Sequence, residues 1–179
     1  MDTIAIIGQG YMGNAHANAW AAAGQAGAIK YICTPRPKPG SVSAASSASY
    51  ISDLSVILKD PEIKFVSVCT PTPTHKEITI ELLAAGKHVL LEKPIALTLA
   101  DAQIVAEAAK KSSGSLMIAQ VVRFFLGYQE LRKVADSGEL GKVLSVHARR
   151  FSPKPTWATW LGDESQSGGM LVDFSIHDF

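Results

Sequence analysis

Cysteine is scarce in this chain: two in 179 residues, Cys33 and Cys69, each near the end of a short apolar run. That excludes a disulfide scaffold and a thiolate zinc site, and packed, reduced thiols are the expected state. No metal site is expected elsewhere. Charge imbalance is lacking too. Lys and Arg total 17 against 16 for Asp and Glu, a net charge of +1, so nothing global points to nucleic acid or a membrane surface. No apolar run approaches the roughly 20 residues that span a bilayer. A strand begins at Thr3 with no basic leader before it, so the sequence reads as cytoplasmic. The densest basic stretch, Lys142 to Lys154 with Arg149 and Arg150, alternates with apolar residues, as the wet side of a strand does. Internal repeats are absent.

What is present is a glycine signature at the start. Thr3-Ile4-Ala5-Ile6-Ile7 runs into Gly8-Gln9-Gly10-Tyr11-Met12-Gly13. An apolar run before G-x-G-x-x-G reads as a buried strand turning sharply into a helix. Gly8 allows the turn, Gly10 lets backbone approach a pyrophosphate, and Gly13 permits close helix-on-strand packing. Amides at the helix start then face an anion, helped by the helix dipole. A plain glycine-rich turn is the bland alternative; the strand–turn–helix context favours a dinucleotide.

Along the chain, strands alternate with helices. Tyr11 to Ala23 is alanine-rich and helical, stopping near Gly24. Ala28 to Cys33 is the second strand, and Ser41 to Ser49 is a weak helix or a loop. Asp53 caps a short helix that ends at Asp60-Pro61. Phe65 to Cys69 is a strand, and Thr74 with Glu77 fits a capping box for a helix closing at Gly86. His88 to Leu91 is a strand with Glu92-Lys93-Pro94 at its end. Thr98 and Asp101 start a helix to about Ser112, and Leu116 to Val122 is a further strand. This order gives an α/β fold with a doubly wound parallel sheet, a Rossmann domain over residues 1–122. From Arg123 the pattern changes: a helix from Tyr128 to Ser137, glycines at 138 and 141, then a strand from Val143 to Phe151. Residues 123–179 are read as the incomplete start of a second domain.

The end of the second strand is where a nicotinamide-binding fold shows its cofactor choice. An acid there accepts hydrogen bonds from the ribose of NAD. This chain has Thr34, followed by Pro35-Arg36-Pro37-Lys38-Pro39-Gly40. A stiff proline loop with two solvated cations is the bland reading. A hydroxyl with Arg36 and Lys38 placed to receive a 2′-phosphate is the functional one, so NADP is expected over NAD.

Three motifs together carry a resemblance: Gly8 to Gly13, Glu92-Lys93-Pro94, and Gly168-Gly169-Met170-Leu171-Val172-Asp173-Phe174-Ser175-Ile176-His177-Asp178. The chain resembles the Gfo/Idh/MocA oxidoreductases over its whole length, and Thr70-Pro71-Thr72-Pro73-Thr74-His75 fits that family's loop after the fourth strand. The resemblance implies NADP or NAD as cofactor and a sugar, polyol or related hydroxy compound as substrate. It also implies a second domain of the α+β type with a mostly antiparallel sheet, and a homo-oligomer. Members are about twice as long; a fragment, a completing second polypeptide and a broken gene all fit the early stop.

Hydride transfer from a secondary alcohol requires removal of the hydroxyl proton and stabilisation of the alkoxide. Lys93, at a strand's carboxyl end, supplies a cation. A cis bond before Pro94 would direct it. Asp173 and His177, four apart, share one face of a helix; an ordinary acid–histidine pair is the bland reading, and in the functional one His177 is the proton acceptor while Asp173 orients substrate or supports the imidazolium. The expected cofactor contacts are Gly8, Gly10, Tyr11, Met12, Gly13, Thr34, Arg36, Lys38, Thr70, Pro71, Thr72, His75, Glu92, Lys93 and Gln120. His16 is expected to pack against the sheet rather than to react. Trp157 and Trp160 suit a sugar-stacking wall or an inter-domain core. Two other functions fit the same residues: a cofactor-binding sensor or regulator without turnover, and a glycosidase that uses NAD for transient oxidation.

Overall fold

The computed structural model describes residues 3–151, 153 and 158–178. The chain divides between Ala119 and Gln120 into two compact units. The first unit carries six strands: β1 (Thr3–Ile7), β2 (Ile29–Cys33), β3 (Ser49–Ile51), β4 (Ile63–Val68), β5 (His88–Glu92) and β6 (Leu116–Ala119). All pair in parallel, in the order β3-β2-β1-β4-β5-β6. The chain runs outward from β1 through β3, then returns to lay β4 against β1. That reversal opens a crevice at the carboxyl ends of β1 and β4, where ligands bind in such sheets.

Successive side chains of a strand point to opposite faces, and a parallel sheet covered by helices buries both. β1 shows this directly. Ile4 and Ile6 join Ala17, Ile29, Ile32 and Val42 on the side of α1 (Tyr11–Ala22). Ala5 and Ile7 join Ile57, Val66, Leu82, Leu83 and Leu91 on the other side, with α2 (Leu54–Lys59), α3 (His75–Ala84) and α4 (Leu99–Lys111). Two of the helix caps form as the residues suggest. Asp53 accepts the Ser55 amide at 2.8 Å. Thr98 accepts the Asp101 amide at 3.1 Å and donates its hydroxyl to the Asp101 carboxylate at 2.8 Å.

Two local expectations are corrected, and one strand was not foreseen. Thr74 does not cap α3: residues Thr72–Thr74 form a 3-10 turn that leads straight into the helix, so Thr74 is already helical. Its hydroxyl points back, donating to the Pro71 carbonyl at 2.8 Å and lying within hydrogen-bond distance, 2.7 Å, of the Thr70 hydroxyl, which can donate to it. The small polar stretch after Gly40 is a loop with a 3-10 turn at Ser43–Ala45, and the strand not foreseen, β3, follows it. The open edge of β2 pairs there with Ser49–Ile51, where Tyr50 and Ile51 suit a strand but three residues are too short a run to announce one. β6 stops at Ala119 rather than Val122, because Val121–Phe124 turns into a 3-10 helix.

In the second unit, α5 (Leu126–Ser137) ends at a left-handed Gly138, and α6 (Glu164–Ser167) ends at a left-handed Gly168. The strand expected over residues 143–151 is irregular, with Val143, Leu144, Val146 and Phe151 exposed. A strand needs a ladder partner for its amides and carbonyls, and none of the described residues of this unit supplies one. The helix expected to carry Asp173 and His177 is a π turn at Met170–Phe174 followed by a 3-10 turn at Ser175–His177. Regular 3.6-residue spacing therefore does not place those two side chains on one face. Arg150 is not on a wet strand face. It donates to Asp178 at 2.6 Å and to the Tyr128 hydroxyl at 3.3 Å, and lies 5.2 Å from the Phe174 ring centre. No helix among the described residues is long and apolar enough to cross a membrane.

Ile6 is fully buried while Leu144 is 90% exposed. Ile6→Ala should therefore cost about 2–5 kcal/mol of stability through lost burial and a cavity. Leu144→Ala should stay within about 0.5 kcal/mol. Denaturant titration of both variants checks the contrast.

Candidate active site

The site is built from the carboxyl edge of the first unit's sheet. Gly8 leaves β1 with φ +106°, its amide donating to the Cys33 carbonyl at 2.8 Å. A Cβ on Gly8 would lie 2.4 Å from the Cys69 carbonyl oxygen, and one on Gly13 would lie 2.3 Å from the Gly8 carbonyl oxygen. Neither obstacle can rotate away, so both positions require glycine. Gly10 differs: nothing lies within 4 Å of where its Cβ would be. Gly10 is the residue at which α1 begins, and the first turn of that helix carries no acid. Helix N-terminal amides have no partner within the helix, so this is a cradle that fits a pyrophosphate.

Gln9, between the first two glycines, is a residue that sequence reasoning missed. Its Nε2 donates to the Arg36 carbonyl at 2.8 Å, while its Oε1 accepts the Lys38 amide at 2.9 Å. A carboxamide both donates and accepts, and here it ties the loop after β2 to the glycine turn. The polar side chain inside the motif was the available signal, but its partners lie 27 and 29 residues away. Thr34 sits at the end of β2, its amide donating to the Ile51 carbonyl at 3.0 Å. Arg36 and Lys38 are exposed.

Beyond β4, Thr70, Pro71 and buried Thr72 lead to His75, which is also buried. His75 Nδ1 lies 2.7 Å from the Pro94 carbonyl and Nε2 lies 2.8 Å from the Thr70 carbonyl. The ring thus joins the loop after β4 to the turn after β5. Burial pushes its pKa below the usual histidine value, and the two carbonyls and Glu92 only partly offset this. At the end of β5, Glu92 is buried, and the Lys93–Pro94 bond is cis. Glu92 Oε1 lies 2.9 Å from Nε2 of His16 on α1. His16 is packed under the sheet edge, as its apolar surroundings suggest, with this acid as partner. Burial raises the Cys33 thiol to about 11 and holds Cys69 well above the ordinary range, so neither is a ready nucleophile.

The structure therefore brings Gly8, Gly10, Met12, Gly13, Thr34, Thr70, Thr72, His75, Glu92 and Lys93 to one edge of one sheet. Gln120 follows β6 directly and opens the second unit. Asp173 and His177 belong to that unit, in its π and 3-10 turns. Trp160 lies in a 3-10 turn at Thr159–Gly162, half-buried, and Trp157 lies outside the described residues.

A parallel sheet of this order with a glycine cradle at its switch point defines a Rossmann unit of the dinucleotide-binding class. Comparison with known proteins narrows the class. Residues 3–120 match the oxidoreductase family with an NAD-binding Rossmann fold, Gfo/Idh/MocA, and residues 128–179 match a Gfo/Idh/MocA C-terminal domain. The chain belongs to the Gfo/Idh/MocA family. It is 36% identical to a myo-inositol 2-dehydrogenase of Thermotoga maritima over 69% of its own length and 36% of that enzyme's. It is 31% identical to a 2,7-anhydro-N-acetylneuraminate hydratase of Escherichia coli over 97% of its length and 46% of that enzyme's. Among solved structures, levoglucosan dehydrogenase in complex with NADH and levoglucosan superposes with a TM-score of 0.81 at 27% identity, covering 98% of this chain and 51% of that one. The chain thus spans between about a third and a half of the relatives it matches.

The depressed pKa of His75 has a signed consequence. Below the unfolded value of about 6.5 the unfolded chain takes up a proton that the folded chain resists. The His75 contribution is thus intact above that pH and is lost as pH falls toward the folded pKa. His75→Gln should flatten the acid-side slope of stability, which denaturant titrations across that pH range measure.

Proposed function

We propose that this chain is the cofactor-binding and catalytic part of an NAD(P)-dependent dehydrogenase that oxidises a CH–OH group of a sugar, polyol or related compound. The observation that carries this reading is the placement of the open Gly10 cradle and Lys93 on one carboxyl edge, at the switch point of the sheet. Similarity to a myo-inositol 2-dehydrogenase and to levoglucosan dehydrogenase in complex with NADH and levoglucosan supports the substrate class. When bound, the nicotinamide supplies the hydride acceptor or donor.

The chain's own residues supply the rest. Helix-start amides at Met12 and Gly13 hold the pyrophosphate, with Gly10 leaving room for it. Tyr11, Thr70, Pro71, Thr72, His75 and Gln120 are assigned to the walls of the cofactor site. The Lys93 ammonium stabilises negative charge on the substrate oxygen. His177 takes the hydroxyl proton, since histidine titrates near neutral pH, and Asp173 orients it. Thr34 brings no charge that would repel a 2′-phosphate, and the loop of Arg36 and Lys38, tied down by Gln9, offers two cations to it. NADP(H) is accordingly assigned as the tighter ligand. The hydratase similarity favours a second reading, turnover of a sugar derivative without net change in cofactor absorbance.

Two measurements test these assignments. Fluorescence titration should show NADPH binding more tightly than NADH, and Gln9→Ala should narrow the difference; equal or tighter NADH binding overturns the preference. In the protein that carries this chain, His177→Ala should cut turnover by about 10²–10⁴-fold with cofactor affinity nearly unchanged. Lys93→Ala should cost at least as much, and Asp173→Asn less. Wild-type turnover in His177→Ala across neutral pH would remove His177 from the mechanism.

A further inference from the structure

Under the cofactor edge lies a polar couple that the mechanism above does not use. His16 sits on α1, one turn beyond Gly13, and is 7% exposed; Glu92, at the end of β5, is 6% exposed. The imidazole Nε2 lies 2.9 Å from Glu92 Oε1. The other carboxylate oxygen, Oε2, accepts the backbone amide of Lys93 at 3.2 Å. His16 Nδ1 is buried and has no hydrogen-bond partner among the described residues. One carboxylate therefore receives two donors, one from the helix that begins at the glycine cradle and one from the lysine at the site.

Stability is a poor explanation for this arrangement. A buried ionisable pair loses hydration on both sides, and apolar residues of similar size commonly stabilise a fold as well or better. The unpartnered Nδ1 adds a further cost. What the couple does supply is direction. Two hydrogen bonds on one carboxylate fix its plane, and with it the amide from which the Lys93 side chain departs.

We propose that His16 is a positioning residue for Lys93, acting through the Glu92 carboxylate so that α1 and Lys93 move as one body. The inference rests on the reading of Lys93 as the cation of the site. An anion held at the start of α1 pulls on that helix, and the pull reaches Lys93 through His16 and Glu92. Occupancy of the pyrophosphate cradle is thereby registered at the reacting end of the cofactor crevice.

The geometry makes an atom-specific test available. Glutamine can place its amide nitrogen near the position of imidazole Nε2, whereas asparagine places it near Nδ1. The full chain and its His16→Gln, His16→Asn and Glu92→Met variants are acylated with limiting acetic anhydride, with and without saturating NADPH. Labelling at Lys93 is read by peptide mass spectrometry against exposed Lys110 as an internal standard. His16→Asn should change the relative Lys93 rate several-fold without cofactor and abolish its response to NADPH, while His16→Gln should keep both near wild type. Glu92→Met, close in size, should behave like His16→Asn because its side chain accepts neither the His16 N–H nor the Lys93 N–H; it carries the test if His16→Asn fails to fold. In the turnover assay of the protein that carries this chain, His16→Asn should lower kcat about tenfold to a hundredfold, with cofactor KM little changed. The proposal is overturned if folded His16→Asn or Glu92→Met labels like wild type, or if His16→Gln fails as badly as His16→Asn. Absence of NADPH and NADH binding to the wild-type chain would sink the proposed function instead, and the cofactor-free comparison of Lys93 rates would still decide the role of His16.

Discussion

The approach of backbone to backbone at the glycine turn is the constraint on which the rest of the first unit depends. A Cβ at Gly13 would sit 2.3 Å from the Gly8 carbonyl, and one at Gly8 would sit 2.4 Å from that of Cys69. Because the obstacles are main-chain atoms, one added methyl group would push α1 off β1 or β1 off the end of β4. With the contact intact, α1 lies flush on the sheet, and Ala17 and His16 both pack beneath it. The position of His16 is thus inherited from the glycines before it, and Glu92 finds its partner for that reason.

Apolar burial and polar placement divide the work. Ile4, Ile6, Ile32, Val66 and Leu91 fill the two faces of the sheet and supply the driving force for folding. The buried polar groups gather toward strand ends and are mostly satisfied there. His75 bridges two carbonyls, and Lys87 donates to the carbonyls of Asp60 and Ile63, where burial lowers its pKa. Exposed pairs such as Lys110–Glu107 at 2.7 Å decorate helix surfaces and contribute little. Such polar contacts beneath the edge fix the angles at which the loops leave the sheet, and those loops carry the residues assigned to cofactor and substrate.

The second unit is organised by different means. Arg150 gathers Tyr128, Phe174 and Asp178, tying α5 and the turns at residues 170–178 to an otherwise irregular segment. Alternation of apolar and polar residues around Arg150 suggested a strand with that guanidinium in water. Alternation specifies which side chains share a face, but it does not create the neighbouring strand that a ladder requires. Similarly, the i,i+4 spacing of Asp173 and His177 has its usual meaning only on a regular α-helix, and a π turn followed by a 3-10 turn changes the angle per residue.

The sequence by itself determined the parallel α/β architecture, because short apolar runs alternating with helix-forming segments have few ways to bury both faces of a sheet. It also determined the glycine cradle and the position of Lys93 at a strand end, since those depend on residues adjacent in the chain. Only tertiary structure decided the contacts across it: Gln9 with Arg36 and Lys38, His16 with Glu92, His75 with Pro94 and Thr70. Two of these contacts span 76 and 27 residues, and nothing in local propensity reports them. It also decided β3, whose three residues are too short a run to signal a strand and pair because β2 leaves an edge open beside them. The division follows from range: turns and burial patterns act within a few residues, whereas a hydrogen bond between distant side chains exists only once the sheet has set the strands in order.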